Sequence, residues 1–275
     1  MGLWRFGSKD DPIYLATTDY PIPQRFNIDT LDSMEFLLPD DPQGTVTGCT
    51  HWQTELGTEN HLIFQLKNKG IFSHNFVEVQ RFTPDNRDYS KPEVIATFEP
   101  KKESLVHSFS VTENYAIFFY YPMVLESTQC LFMNNFHALE CLKVLDEQTD
   151  IYVVNLKTGE VKEMKGQTWY SQHHINAYET EDGNEIVVDL SPSEPTGLRD
   201  LVMIDKMLYP PEISEGVSGS TCGEGNITRY QLNLNTGLVS SSTFPNPMNS
   251  RYMDKFDFPS INEAYRGKKV RIKHI

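Results

Sequence analysis

The 275-residue sequence is poor in cations: 24 Lys and Arg stand against 38 Asp and Glu, a formal net charge of -14. Nucleic-acid binding draws on clustered Lys and Arg that displace counterions from phosphates, so a polynucleotide is not the expected partner. The one dense basic run, RGKKVRIK at 266–273, reads as a solvated strand and turn. Cysteine is scarce too. Cys49, Cys130, Cys141 and Cys222 show no CxxC pairing, which argues against a zinc ribbon or a disulfide scaffold and leaves reduced, buried thiols as the expectation. Long apolar runs are lacking. The most apolar stretch, YAIFFYYPMVL at 115–125, is too short to span a bilayer and has the aromatic content of a buried strand. The opening MGLWRFGSKDDP carries charge at Arg5, Lys9, Asp10 and Asp11, has no apolar signal core, and places Phe6 where a myristoylation motif needs Ser or Thr. A soluble, cytoplasmic chain is expected.

Helical periodicity is convincing nowhere, although 124–142 has room for a short helix or an excursion between strands. What is present is β-like. The segments 61–66 (HLIFQL), 114–121, 150–156 (DIYVVNL), 185–190 (EIVVDL) and 230–234 (YQLNL) are rich in β-branched and aromatic residues, and Gly, Asn, Asp or Pro closes most of them. A weak repeat runs through them: NLKTGEV at 155–161, NLNTGLV at 233–239 and a degenerate copy, NIDTL, at 27–31. Gly159 and Gly237 suit the left-handed position that closes a three-residue hairpin loop. The copies begin 128 and 78 residues apart, which suits four-stranded blades with insertions and makes a β-propeller the favoured architecture. Thr-Gly hairpins occur in any β protein, so the repeat alone permits a propeller without requiring it.

Three of the eight histidines lie beside such strands: His51 in GCTHWQTE, His107 in LVHSFSVTENY and His173 in SQHHINAYE, separated by 56 and 66 residues. In a propeller the innermost strand of each blade lines the axis, so one histidine per blade converges on a single point. Neutral imidazoles that converge make a site for Zn, Cu, Fe or Ni, and an all-imidazole shell with open positions suits a ferrous ion; the histidines alone do not choose the metal. His173 and His174 are adjacent on a strand-like segment and face opposite ways, so only one of them points at any given site.

HSFSVTENYAIFF (107–119), HHINAYE (173–179) and KFDFPSIN (255–262) resemble motifs of the carotenoid cleavage oxygenases, the family that contains animal β-carotene dioxygenases and the retinoid isomerase of the retinal pigment epithelium. ATTDYPIPQRFNIDTLD (16–32) and CTHWQTELGTENHLIFQL (49–66) resemble, in the right order, the segments that precede and contain that family's first metal ligand. The resemblance covers essentially the whole chain. It implies an all-β, seven-bladed propeller that holds one Fe(II) on its axis through four histidines, of which His51, His107 and His173 match the first three. His174 then packs or hydrogen-bonds on the other side. Carboxylates in the family accept the outer ring N–H of the ligands; here the matching positions are Asp19 and Asp257, each one methylene shorter than the family's glutamate. A shorter arm needs a water bridge or holds the ring less firmly.

The resemblance also implies a single carotenoid oxygenase domain over 1–275, incomplete at both ends: the middle blades of the propeller, roughly half a typical member, without the fourth ligand histidine. His274 matches no ligand motif. The implied activity is Fe(II)-dependent cleavage of a double bond in a carotenoid or apocarotenoid to two carbonyls, with O2 and an apolar polyene as partners. Retinoid isomerisation on the same scaffold and an inactive fragment that only binds remain alternatives. Phe109, Tyr115, Tyr178 and Phe258 are candidates for a tunnel wall, with structural core the simpler role for each. An oily substrate drawn from lipid leaves peripheral membrane contact through 124–142 open.

Overall fold

The computed structural model describes residues 2–7, 10–68, 74–86, 88–125, 142–168, 170–192, 227–244 and 259–269. Among the described residues every regular element is a β-strand, apart from a 3-10 turn at Glu263–Tyr265. Strands β1 (Gly2–Phe6), β2 (Ile13–Thr17), β3 (Gln24–Phe26) and β4 (Ser33–Phe36) form an antiparallel sheet in chain order. A second sheet runs β5 (Thr45–Thr47), β7 (His61–Asn68), β8 (Asn75–Phe82), β9 (Glu93–Phe98), with β6 (Gln53–Thr54) also pairing β7. After β10 (Ser110–Val111) and β11 (Tyr115–Tyr120) the short strands β12 (Met123–Leu125) and β13 (Leu142–Val144) pair as a ribbon. With β14 (Thr149–Asn155) and β15 (Val161–Gly166) the third sheet has the order β10-β11-β14-β15. The fourth is β16 (His174–Glu179), β17 (Glu185–Leu190), β18 (Thr228–Asn233) and β19 (Val239–Thr243), again in chain order. Each larger sheet is thus a meander whose strands pair mostly with their chain neighbours.

Burial explains which segments became strands. β2 alternates, with Ile13, Leu15 and Thr17 inward, as a strand covered on one face does. β7, β11, β14 and β17 are buried almost throughout, so both faces are covered and each carries a short unbroken apolar run (LIF, AIFFY, IYVV and IVV).

The chain groups into two compact units. The first comprises Met1–Lys101, Val106–Phe118 and Tyr152–Glu163. Its core is aromatic: Trp52, Phe82 and Tyr89 lie nearly parallel, with Phe6 edge-on to both Trp52 and Phe82. Phe64 meets Phe109 and Phe118 edge-on at 5.7 and 5.5 Å. Such pairs add about 0.5–1.5 kcal/mol each beyond the area they bury. The second unit comprises Lys102–Leu105, Phe119–Ile151 and Met164–Ile275. Phe119, Tyr121, Tyr170 and Tyr230 form its aromatic cluster, and Arg229 makes a two-point ion pair with buried Asp189, both bonds 2.8 Å, while lying over the rings of Tyr178 and Phe244.

The two repeat turns are built alike. The Asn155 and Asn233 side chains accept the N–H groups two and three residues on, their carbonyls accept Gly159 N–H and Gly237 N–H, and both glycines have positive φ, 73° and 76°. Asn155 N–H bonds Glu160 C=O and Asn233 N–H bonds Leu238 C=O, so four residues rather than the expected three are enclosed. The Asx side-chain bonds stabilise the extra residue. The degenerate copy keeps the geometry: Asn27 makes the same bonds, and Leu31 occupies the left-handed slot at φ 60°. The segment 126–141 lies outside the described residues, so its helix-or-excursion reading is confined to its ends, which are β12 and β13.

Candidate metal centre

The loop between β5 and β6 carries His51, and it is tied to the turn that carries Asp19. Gly48 N–H donates to Asp19 C=O at 2.9 Å. A Cβ at position 48 would sit 2.8 Å from Pro21 Cα, so this approach requires glycine. Two residues on, the Thr50 hydroxyl donates to Asp19 Oδ1 at 2.6 Å. Asp19 is therefore gripped at its main chain and at its carboxylate by one loop.

That carboxylate faces His107, just ahead of β10. His107 Nδ1 lies 2.9 Å from each Asp19 oxygen. A carboxylate accepts, so Nδ1 carries a proton, and in the neutral form of the ring the lone pair is then on Nε2. Nε2 points at Nε2 of His51, 3.1 Å away. Burial raises the Asp19 carboxyl, but the hydrogen bond and charge of His107, the Thr50 hydroxyl and the charge of His51 outweigh it and hold the group below its usual range. The shortened arm thus reaches the imidazole directly. The water bridge or loosened ring expected from an Asp at this position is not what the structure shows, because the Gly48–Thr50 grip brings Asp19 within reach.

Cys49 lies between these groups in sequence but turns into the interior. Its thiol donates to His51 C=O at 3.1 Å, and burial, then the charge of Asp19, push its pKa well up, which suits a protonated structural thiol. His173 precedes β16, is buried, and its carbonyl accepts from the Ser171 hydroxyl at 2.8 Å. His174 opens β16 and packs edge-on against Phe119 at 5.5 Å, the packing role expected of it. His51 and His107, both in the first unit, turn one ring nitrogen each toward the other, whereas His173 belongs to the second unit.

The donor set fits a metal ion. Imidazole nitrogens bind first-row divalent metals at about 2.1 Å, and two of them subtending a right angle are about 3.0 Å apart, close to the His51–His107 separation of 3.1 Å. Asp257, Phe258, His137 and His274 lie outside the described residues. Phe109 is fully buried and stacked on Phe118, a core residue; Tyr178 is buried beneath Arg229. Sequence reasoning missed Thr50. Its contact with Asp19 spans 31 residues, and the only sequence signal was its place directly before a candidate ligand.

The family described as retinal pigment epithelial membrane protein matches residues 11–273. Among solved structures the chain is similar to a mutant of Synechocystis apocarotenoid oxygenase, with TM-score 0.66, 19% identity, and coverage of 88% of this chain and 47% of that one. It is similar also to a chimera of that oxygenase with RPE65 (TM-score 0.65, 18% identity, 88% and 47% covered) and to the cobalt-substituted Synechocystis oxygenase (0.63, 19%, 84% and 46%). The chain spans under half the length of these structures. At such identities the likeness shows the fold, the all-β propeller architecture of that oxygenase. With the family match running over nearly all of the sequence, the chain belongs to the retinal pigment epithelial membrane protein family.

Proposed function

We propose that this chain is the metal-holding part of a carotenoid oxygenase, built as the middle blades of a seven-bladed propeller, which cleaves a double bond of a carotenoid or apocarotenoid with dioxygen to give carbonyl products. The observation that carries the reading is the pair of facing imidazole nitrogens on His51 and His107, with Asp19 on the far nitrogen of His107. His51, His107 and His173 are the proposed ligands of a ferrous ion, and Asp19 and Asp257 the proposed carboxylate partners of ligand rings. When bound, the iron supplies the centre at which dioxygen is activated. The protein's own task is positional: Asp19 keeps the His107 proton on Nδ1, which leaves Nε2 unprotonated, and three neutral ligands leave the ion's charge uncompensated. Family membership supports an apolar polyene as substrate, and such a substrate argues for peripheral contact with lipid.

Anaerobic reconstitution with ferrous salt tests this. Stoichiometric iron on the wild-type chain, loss of iron retention in His107→Ala, and bleaching of a carotenoid with aldehyde or ketone products are the expected results. A wild-type chain that retains no more iron than His107→Ala overturns the metal assignment. Iron retention without bleaching confines this chain to metal holding.

A further inference from the structure

Thr50 stands at the junction of the two ligand-bearing segments. It is covalently joined to His51, and its hydroxyl reaches Asp19 Oδ1 at 2.6 Å, the same oxygen that lies 2.9 Å from His107 Nδ1. A free carboxylate on a short arm turns about two torsions. Here one oxygen is claimed by a donor outside the His107 ring, which leaves a narrow range of orientations in which both oxygens also face Nδ1.

Thr50 is itself immobilised. Its side chain belongs to a residue only 1% exposed, and a β-branched side chain is stiff at χ1. Its carbonyl accepts from the Thr17 hydroxyl at 2.7 Å and from Trp4 Nε1 at 3.4 Å. Gly2 makes room for that arrangement: a Cβ there would overlap the Thr50 carbonyl oxygen and fall 2.5 Å from Thr17 Oγ1 and 2.6 Å from Trp4 Nε1. β1 and β2 therefore fix the Thr50 main chain, Thr50 fixes Asp19, and Asp19 fixes His107. Gly48 adds the main-chain bond to Asp19 at 2.9 Å.

We propose that Thr50 is a positioning residue: its hydroxyl selects the Asp19 rotamer in which the shortened carboxylate meets His107 Nδ1 and aims His107 Nε2 at His51. The proposal rests on the reading that these rings share a metal, and it is chosen so that either can fail alone. Where a longer carboxylate arm is replaced by Asp, a neighbouring hydroxyl supplies the orientation that reach would otherwise give.

The test uses the full chain with two readouts. The first is metal-free: nitrogen NMR of the His107 ring, in which the Asp19-bound Nδ1–H marks one tautomer. The second is cobalt(II) affinity by chelator competition, together with the visible cobalt absorption band. Thr50→Val removes the hydroxyl at nearly constant volume, Thr50→Ser keeps it, and Thr50→Cys serves as a second hydroxyl-free variant should the valine chain not fold. Thr50→Val is expected to mix the His107 tautomers, weaken cobalt binding by about 10–100-fold, the range typical of lost outer hydrogen bonds to ligands, and shift the cobalt band. Thr50→Ser is expected to return affinity to within about threefold of wild type. In an Asp19→Ala background Thr50→Val should change nothing further, since its path to the ring is gone. A Thr50→Val chain with an unchanged His107 tautomer overturns the proposal, as does an undiminished effect in the Asp19→Ala background. A wild-type chain that binds no cobalt removes the metal reading while the NMR result still decides on Thr50.

Discussion

Leu31 carries a side chain where its two counterparts have none. Its φ of 60° costs an L-residue about 1–2 kcal/mol, and at 71% exposure it recovers little by burial. Leu31→Gly relieves the strain and gives back about 0.5–1 kcal/mol through the greater freedom of glycine in the unfolded chain. A net stabilisation of about 0.5–1 kcal/mol in urea unfolding is the expected outcome. Lys67 makes a second case. Its ammonium bonds Asp40 at 2.6 Å and Glu78 at 2.7 Å with its own side chain 4% exposed. Burial lowers its pKa, but the two carboxylates outweigh this and raise it above its usual value of 10.5. A raised folded value means that the stabilisation is fully present below pH 10.5 and is lost as pH rises through the folded value. The wild-type chain should therefore lose its stability advantage over Lys67→Met at alkaline pH, read as converging urea midpoints.

Gly159 and Gly237 close the β14–β15 and β18–β19 turns at nearly equal φ, yet they stand in different surroundings. A Cβ at Gly159 collides with the Ile95 carbonyl oxygen, whereas a Cβ at Gly237 meets nothing within 4 Å. Gly237→Ala should cost about 1–2 kcal/mol, the backbone strain alone, and Gly159→Ala clearly more, because main chain must also move. Equal losses in urea unfolding would show that the β14–β15 turn does not rest against β9. Strand content was legible where burial leaves a continuous apolar run: β11 and β17 fell inside expected segments, and β7 and β14 overlapped theirs, β7 running on to Asn68 and β14 starting at Thr149. β4 was not among them because all four of its residues are exposed and nothing in SMEF records a buried face. β6 and β10 span two residues each, too few for any period to show. The left-handed glycines were legible from Thr-Gly, but the enclosed loop length was not, since it depends on Asx bonds that the sequence pattern leaves open. His51 and His107 were legible through local strings around them, while the Thr50–Asp19 bond joins segments that no local pattern relates.

Both units rest on aromatic cores, and in the first unit that core carries the loops which hold His51 and His107. Phe64, buried and edge-on against the stacked pair Phe109 and Phe118, supports the segment just after His107; Phe64→Ala should destabilise the chain by about 3–5 kcal/mol. Much smaller destabilisation would mean that β7 does not pack on that segment as described. The chain spans under half the length of the solved structures it resembles, so the decisive question is whether these segments alone hold a metal. X-ray absorption at the iron edge of the ferrous-loaded chain answers it most directly. The account predicts a nitrogen shell near 2.1 Å with the outer scattering of imidazole rings, losing one ring's contribution in His51→Ala. A light-atom shell without imidazole scattering, or a spectrum unchanged by that substitution, would contradict it.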